Sequence, residues 1–135
     1  MSETIEFEIS HAYDTREVGI TVKTKLTHGK DFVEFYAKVD TGSSYCIFER
    51  IHGENIGIEI ERGEEMRIST ATGYFAAYEH ELTLNVLDIE IVANVYFAKE
   101  ESFTRNVLGR QGWLDRVKLG LIDYEGKLFL SEYNK

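Results

Sequence analysis

The sequence predicts a mostly-β chain, a barrel or a sandwich, with one or two short helices. Three observations carry that reading. Apolar and polar residues alternate with period two along most of the chain. The alternating runs are rich in β-branched and aromatic residues, which suit a pleated, half-buried surface. Turn-forming breaks separate the runs at short intervals, and many short strands joined by turns close into a barrel or stack as two sheets. A chain of 135 residues is long enough to bury a core of its own, so residues 1–135 are read as one domain.

The elements follow in order. Ile5 to Ile9 alternates around Glu6 and Glu8 and opens the series. Val18 to Leu26 and Phe32 to Val39 come next, parted by the turn His28-Gly29-Lys30-Asp31. Glu49 to Asn55 reads as a short helix, stopped near Gly53 or Gly57. Met66-Arg67-Ile68 is a short strand after Gly63-Glu64. Leu82 to Val86 and Ile89 to Phe97 flank a break at Asp88. Gln111 to Val117 reads as a second short helix. No proline interrupts any strand.

Composition limits the function classes. A hydrophobic fraction of 43% and an aromatic fraction of 13% are those of a globular chain, not a disordered one. A formal net charge of −9 speaks against nucleic acid or an anionic membrane as partner. The lone cysteine, Cys46, lies in an apolar run, cannot form an internal disulfide, and reads as a buried free thiol in a reducing compartment. Met1 to Thr4 has neither the basic nor the apolar part of a signal peptide, and no apolar run approaches a membrane span. The expected location is the cytoplasm.

One stretch departs from the pattern. Between the strand ending Ala37-Lys38-Val39 and the apolar run Tyr45-Cys46-Ile47-Phe48 stands Asp40-Thr41-Gly42-Ser43-Ser44. Asp, Gly and Ser all favour turns, so a plain turn is one reading. The apolar flanks favour another. A carboxylate held there is partly desolvated, which is costly unless it is hydrogen-bonded or shares a proton. Gly42 lets the backbone turn and lets a second chain or a ligand approach, and Thr41 and Ser43 bring hydroxyls that can hold the carboxylate.

Val39-Asp40-Thr41-Gly42-Ser43 resembles the active-site loop of the aspartic peptidases, specifically of the single-domain retropepsin-like family. A second hallmark of that family, two apolar residues and a glycine before a short helix, is matched by Asn106-Val107-Leu108-Gly109-Arg110-Gln111-Gly112-Trp113-Leu114. Gly112-Trp113 departs from a plain helical start and makes that helix short or irregular. Between the hallmarks, Ile68 to Ala76 occupies the place of the family's flap hairpin, with Thr72, Gly73 and Tyr74 at its tip as substrate-binding residues. Lys118 to Asp123 and Lys127 to Leu130 stand as a terminal strand pair about Glu125-Gly126-Lys127.

The resemblance spans about Val18 to Leu130 and implies a closed barrel. It also implies that Gly109 permits a close crossing behind the active-site loop, and that Asp40, Thr41, Gly42 and Ser43 are the catalytic residues. Of the six aspartates only Asp40 precedes Thr-Gly, so one chain supplies half of a two-carboxylate site. The expected assembly is a homodimer in which Asp40 meets Asp40 of the partner subunit, Thr41 interlocks across the axis and Ser43 steadies the outer oxygen of Asp40. The substrate is an extended peptide, and the chemistry needs no metal or organic cofactor. The rival reading is a catalytically silent module of the same fold that binds peptides or assembles with a partner.

The remaining candidates are weaker. His80 in Glu79-His80-Glu81 faces away from both glutamates on an alternating strand and reads as a surface or cross-strand residue rather than a metal ligand. His11, His28, His52 and Cys46 have no metal-site spacing. Arg105, Arg110, Arg116 and Lys118 form a modest basic cluster, read as a solvated face, a dimer contact or a contact for an acidic substrate. Tyr74, Phe75 and Tyr78 line a pocket near the flap or pack in the core.

Overall fold

Alternation sets which side of each strand is buried. In the computed structural model, which describes residues 1–135, the chain forms ten strands. They are β1 (Ile9–Ala12), β2 (Thr21–His28), β3 (Asp31–Val39), β4 (Ile47–Phe48), β5 (Glu64–Thr70), β6 (Gly73–Val86), β7 (Ile89–Ala98), β8 (Val107–Leu108), β9 (Val117–Ile122) and β10 (Lys127–Glu132). One α-helix, α1 (Arg50–Glu54), follows β4. Strand β2 buries Val22, Thr24 and Leu26 and turns Thr21 and Lys23 to solvent. Strand β7 buries Ile91, Ala93 and Val95 against exposed Glu90, Val92 and Asn94, then becomes buried on both faces from Val95 to Ala98.

Seven strands form one sheet in the order β2-β3-β8-β4-β7-β6-β5, and β2 also pairs with β6, which closes the sheet into a barrel. The main core of 22 buried residues fills it, with Trp113, Phe48, Phe97 and Leu26 among its largest members. Strands β1, β10 and β9 form a separate three-stranded antiparallel sheet. The mostly-β class and the closed barrel expected from the sequence are both present.

Turn chemistry fixes the hairpins. Gly29 (φ 62°) opens the two-residue connection of β2 and β3. Leu87 and Asp88 (φ 49° and 68°) join β6 to β7, the paired left-handed geometry that matches the twist of adjoining strands.

Three sequence expectations need correction. The first strand is β1 at Ile9–Ala12, not Ile5 to Ile9. The Ser131 hydroxyl accepts the Glu8 N–H at 2.6 Å, replacing a ladder bond, and Phe7 packs on Phe129. Gly53 does not stop the first helix but lies buried inside α1, where a Cβ would sit 2.7 Å from Ile60 and 3.0 Å from Phe97. The second helix is one 3-10 turn, Leu114–Arg116. Gly112 (φ 98°) and Trp113 (φ −133°, ψ −64°) are both outside helical geometry, because Trp113 is drawn into the core.

Candidate active site

The site is built where the chain crosses itself. Strand β3 delivers Asp40, and β8 runs parallel beside it, with Lys38 opposite Val107 and Val39 opposite Leu108. Strand β4 pairs antiparallel with β8 and parallel with β7. The loop between β3 and β4 is therefore tied down at both ends. The Asp40 N–H donates to Leu108 O at 3.0 Å, and the N–H groups of Arg110 and Gln111 donate to Ser43 O and Ser44 O, each at 2.9 Å. Every bond is backbone to backbone, so the loop position is set by the fold rather than by mobile side chains.

Gly109 makes the crossing possible. A Cβ there would sit 2.2 Å from Tyr45 O and 2.8 Å from Ser43 O, closer than atoms can approach. Cys46 lies directly behind, fully buried, with the Gly109 N–H 3.4 Å from its sulfur. Burial pushes the thiol up to about 12, against the pull of that N–H. Cys46 is thus the inert, packed thiol its apolar surroundings indicate.

At the loop itself Asp40 is half-buried, while Thr41, Gly42 and Ser44 are exposed. Asp40 Oδ1 accepts the Gly42 N–H at 3.0 Å. The Ser43 hydroxyl donates to Tyr45 O at 2.7 Å and not to Asp40, because a backbone acceptor two residues on lies within easier reach. The role of Ser43 in steadying the outer oxygen of Asp40 is not seen in the single chain.

Above the loop stands the β5–β6 hairpin. It is in register from Glu64 opposite Glu79 to Thr70 opposite Gly73, with Ala71-Thr72 as its tip. Gly73 takes φ 151°, open to glycine and strained for other residues. A hollow of about 130 Å³ lies between hairpin and loop, lined by Asp40, Ser43 and Ile47 below and by Ile68, Ser69, Thr70 and Phe75 from the hairpin. Phe103, Arg105 and Val107 complete it. A second apolar cluster of Ile47, Ile68, Ala77, Tyr96 and Val107 forms under the hairpin, separate from the barrel core.

The chain is similar in structure to the EIAV protease solved with the inhibitor HBY-793, with a TM-score of 0.53 over 70% of this chain and 84% of that one. The fold is retropepsin-like. At 15% identity the likeness extends to architecture alone. No family model and no curated protein matches the chain.

Within the retropepsin-like frame, the structure brings Asp40 and Ser43 to the cleft and leaves Thr41 and Gly42 at the exposed apex of the loop. Thr72 and Gly73 fall at or beside the hairpin tip. Tyr74 lies outside the cleft lining, 62% exposed, with the Arg67 guanidinium 4.0 Å over its ring. Its neighbour Phe75, on the opposite strand face, enters the cleft and packs against Phe103, ring centres 4.9 Å apart and planes tilted by 33°. No sequence pattern marks Phe103, because the segment from Lys99 to Asn106 has no strand or helix period.

Of the basic residues, Arg105 lines the cleft and Arg116 lines another hollow, with Glu79 and Glu81. His80 sits half-buried with Nε2 2.9 Å from Ile60 O, consistent with a cross-strand structural residue. Asn106 clamps the site from behind. It donates to Glu49 Oε2 at 2.7 Å and accepts the Glu49 N–H at 3.0 Å, locking the exit of β4 to the entry of β8. No helix is long and apolar enough to cross a membrane.

Proposed function

We propose that the chain is a homodimeric aspartic endopeptidase, in which Asp40 and Asp40 of the partner subunit share one proton. The observation that carries this reading is the setting of Asp40. It is the only acidic residue lining the cleft, on a loop immobilised by backbone bonds and roofed by a hairpin. Two carboxylates brought together cannot both ionise, so one is the base and the other the acid. The ionised carboxylate takes a proton from water as that water attacks the peptide carbonyl carbon. The protonated one hydrogen-bonds the carbonyl oxygen. The C–N bond then breaks as the leaving nitrogen receives a proton. The hairpin closes over an extended segment, offers it main-chain hydrogen bonds and excludes water.

Isolated, the chain presents one carboxylate in its cleft, which supports a second reading: a peptide-binding module without chemistry. Cleavage of a diverse peptide mixture, read by mass spectrometry from acid to neutral pH, separates the two. The expected result is a set of internal cuts present in wild type and lost, by at least about a hundredfold, in Asp40→Asn. Folded, dimeric protein that makes no cut dependent on Asp40 at any pH would leave the binding module.

A further inference from the structure

The cleft contains one basic residue, Arg105, and it is exposed to solvent. Arg105 takes part in none of the ion pairs, although the chain carries 24 acidic residues against 15 basic ones. Its guanidinium instead rests 5.6 Å from the centroid of the Phe103 ring, and Phe103 is held in turn by Phe75 of the hairpin. A cation seated on an aromatic face keeps its donors free and loses less freedom when it binds. The structure so presents a pre-positioned fork of hydrogen-bond donors in the same small hollow as Asp40.

We infer that Arg105 is a specificity-determining residue that selects peptides bearing an acidic side chain beside the bond aligned with Asp40. This rests on the peptidase reading for its cleavage consequence, but the selection is a property of binding and stands without turnover. Three features of the hollow favour a carboxylate side chain. It is small, about 130 Å³, so it takes a single side chain rather than a large ligand. Ile47, Ile68, Phe75 and Val107 give it apolar walls and Ser43, Ser69 and Thr70 polar ones, which suits the apolar stem and polar head of an acidic side chain reaching the exposed Arg105. Planar guanidinium donors match a carboxylate in two parallel hydrogen bonds. The opposing charge there is Asp40 itself, which carries half of a shared proton in the proposed dimer. The net charge of −9 repels strongly acidic segments at long range, so the selected segment holds one acid among neutral or basic residues.

The test uses two peptides that differ only in Glu or Gln at the position under study, both acetylated and amidated, with a third bearing its only carboxylate at a free C-terminus. Binding is measured by fluorescence anisotropy to the full chain carrying Asp40→Asn, so that no cleavage intervenes. The expected result is tighter binding of the Glu peptide than the Gln peptide, by roughly three- to tenfold. Arg105→Gln should abolish the difference, and Arg105→Glu should reverse it. The free-carboxylate peptide should gain nothing; if it alone is preferred, the site reads peptide ends and the inference fails. Equal binding of Glu and Gln peptides, or a preference that survives Arg105→Gln, also overturns it. Cleavage by the chain with Asp40 intact is scored separately. Loss of cleavage with acid preference retained would sink the peptidase reading and spare this one.

Discussion

Single residues in this chain are tuned by what they pack against, and His52 shows it most directly. Its ring stacks on Phe35 at 4.0 Å, nearly parallel, on the outer side of the barrel core. Burial holds its pKa below the ordinary histidine value, while the nearby Glu49 carboxylate, 3.4 Å from Nε2, pulls the other way and is outweighed. The sign of the consequence follows. A histidine whose pKa is depressed in the folded state binds its proton more readily when unfolded, so protonation favours unfolding. Its contribution is intact above the unfolded value of about 6.5 and is lost as pH falls from there through the folded value. Denaturant midpoints measured between neutral and mildly acid pH should fall for wild type, and the fall should be shallower in His52→Phe, which keeps the stack and removes the proton. An identical slope in the two proteins would show that burial of His52 does not govern this pH range.

Elements meet closely at the crossing of β8 with the loop that carries Asp40, and one atom is enough to spoil it. In Gly109→Ala the new Cβ faces two backbone oxygens rather than a movable side chain. The strands must separate, and the bonds from Arg110 and Gln111 to Ser43 and Ser44 stretch with them. The expected cost is about 3 kcal/mol or more, read as a lowered unfolding free energy, with new reactivity of the buried Cys46 thiol. Wild-type stability in this variant would mean that the crossing is looser than drawn. This crossing was legible in the sequence through the family resemblance that Asp40-Thr41-Gly42 and Val107-Leu108-Gly109 carry, since by itself the first of these reads equally as a turn. The hairpin position was legible from its place between those two segments, with Thr72-Gly73 a common turn pair that adds little by itself. What could not be read depends on partners distant in sequence. The length of β6, 14 residues, is set by pairing with β5 at one end and β2 at the other. The lost helix at Gln111 to Val117 is decided by the burial of Trp113, and the cleft role of Phe103 by the fold around it.

The proposed dyad is a property of two chains, so the whole molecule is tested by mixing them. Each copy carries −9, and the apex of its loop, Thr41 and Gly42, is exposed where a second copy would have to come close. Like charges oppose that approach, and salt shortens their reach from about 30 Å at 0.01 M to about 8 Å at 0.15 M. Association, followed by sedimentation equilibrium, should therefore strengthen as salt rises through this range. A dyad assembled across the two-fold axis makes a sharper demand. When Asp40→Asn chains are added to an equal amount of wild type and allowed to exchange, random pairing leaves about half as many wild-type pairs as before. Activity from the fixed amount of wild type should drop to about half, and further with excess mutant. A chain that cuts alone, or a dimer with two independent sites, would show no such loss, since each wild-type copy would keep its own carboxylate and its own cleft. The mixing experiment thus distinguishes a shared pair of aspartates from every arrangement in which Asp40 works by itself.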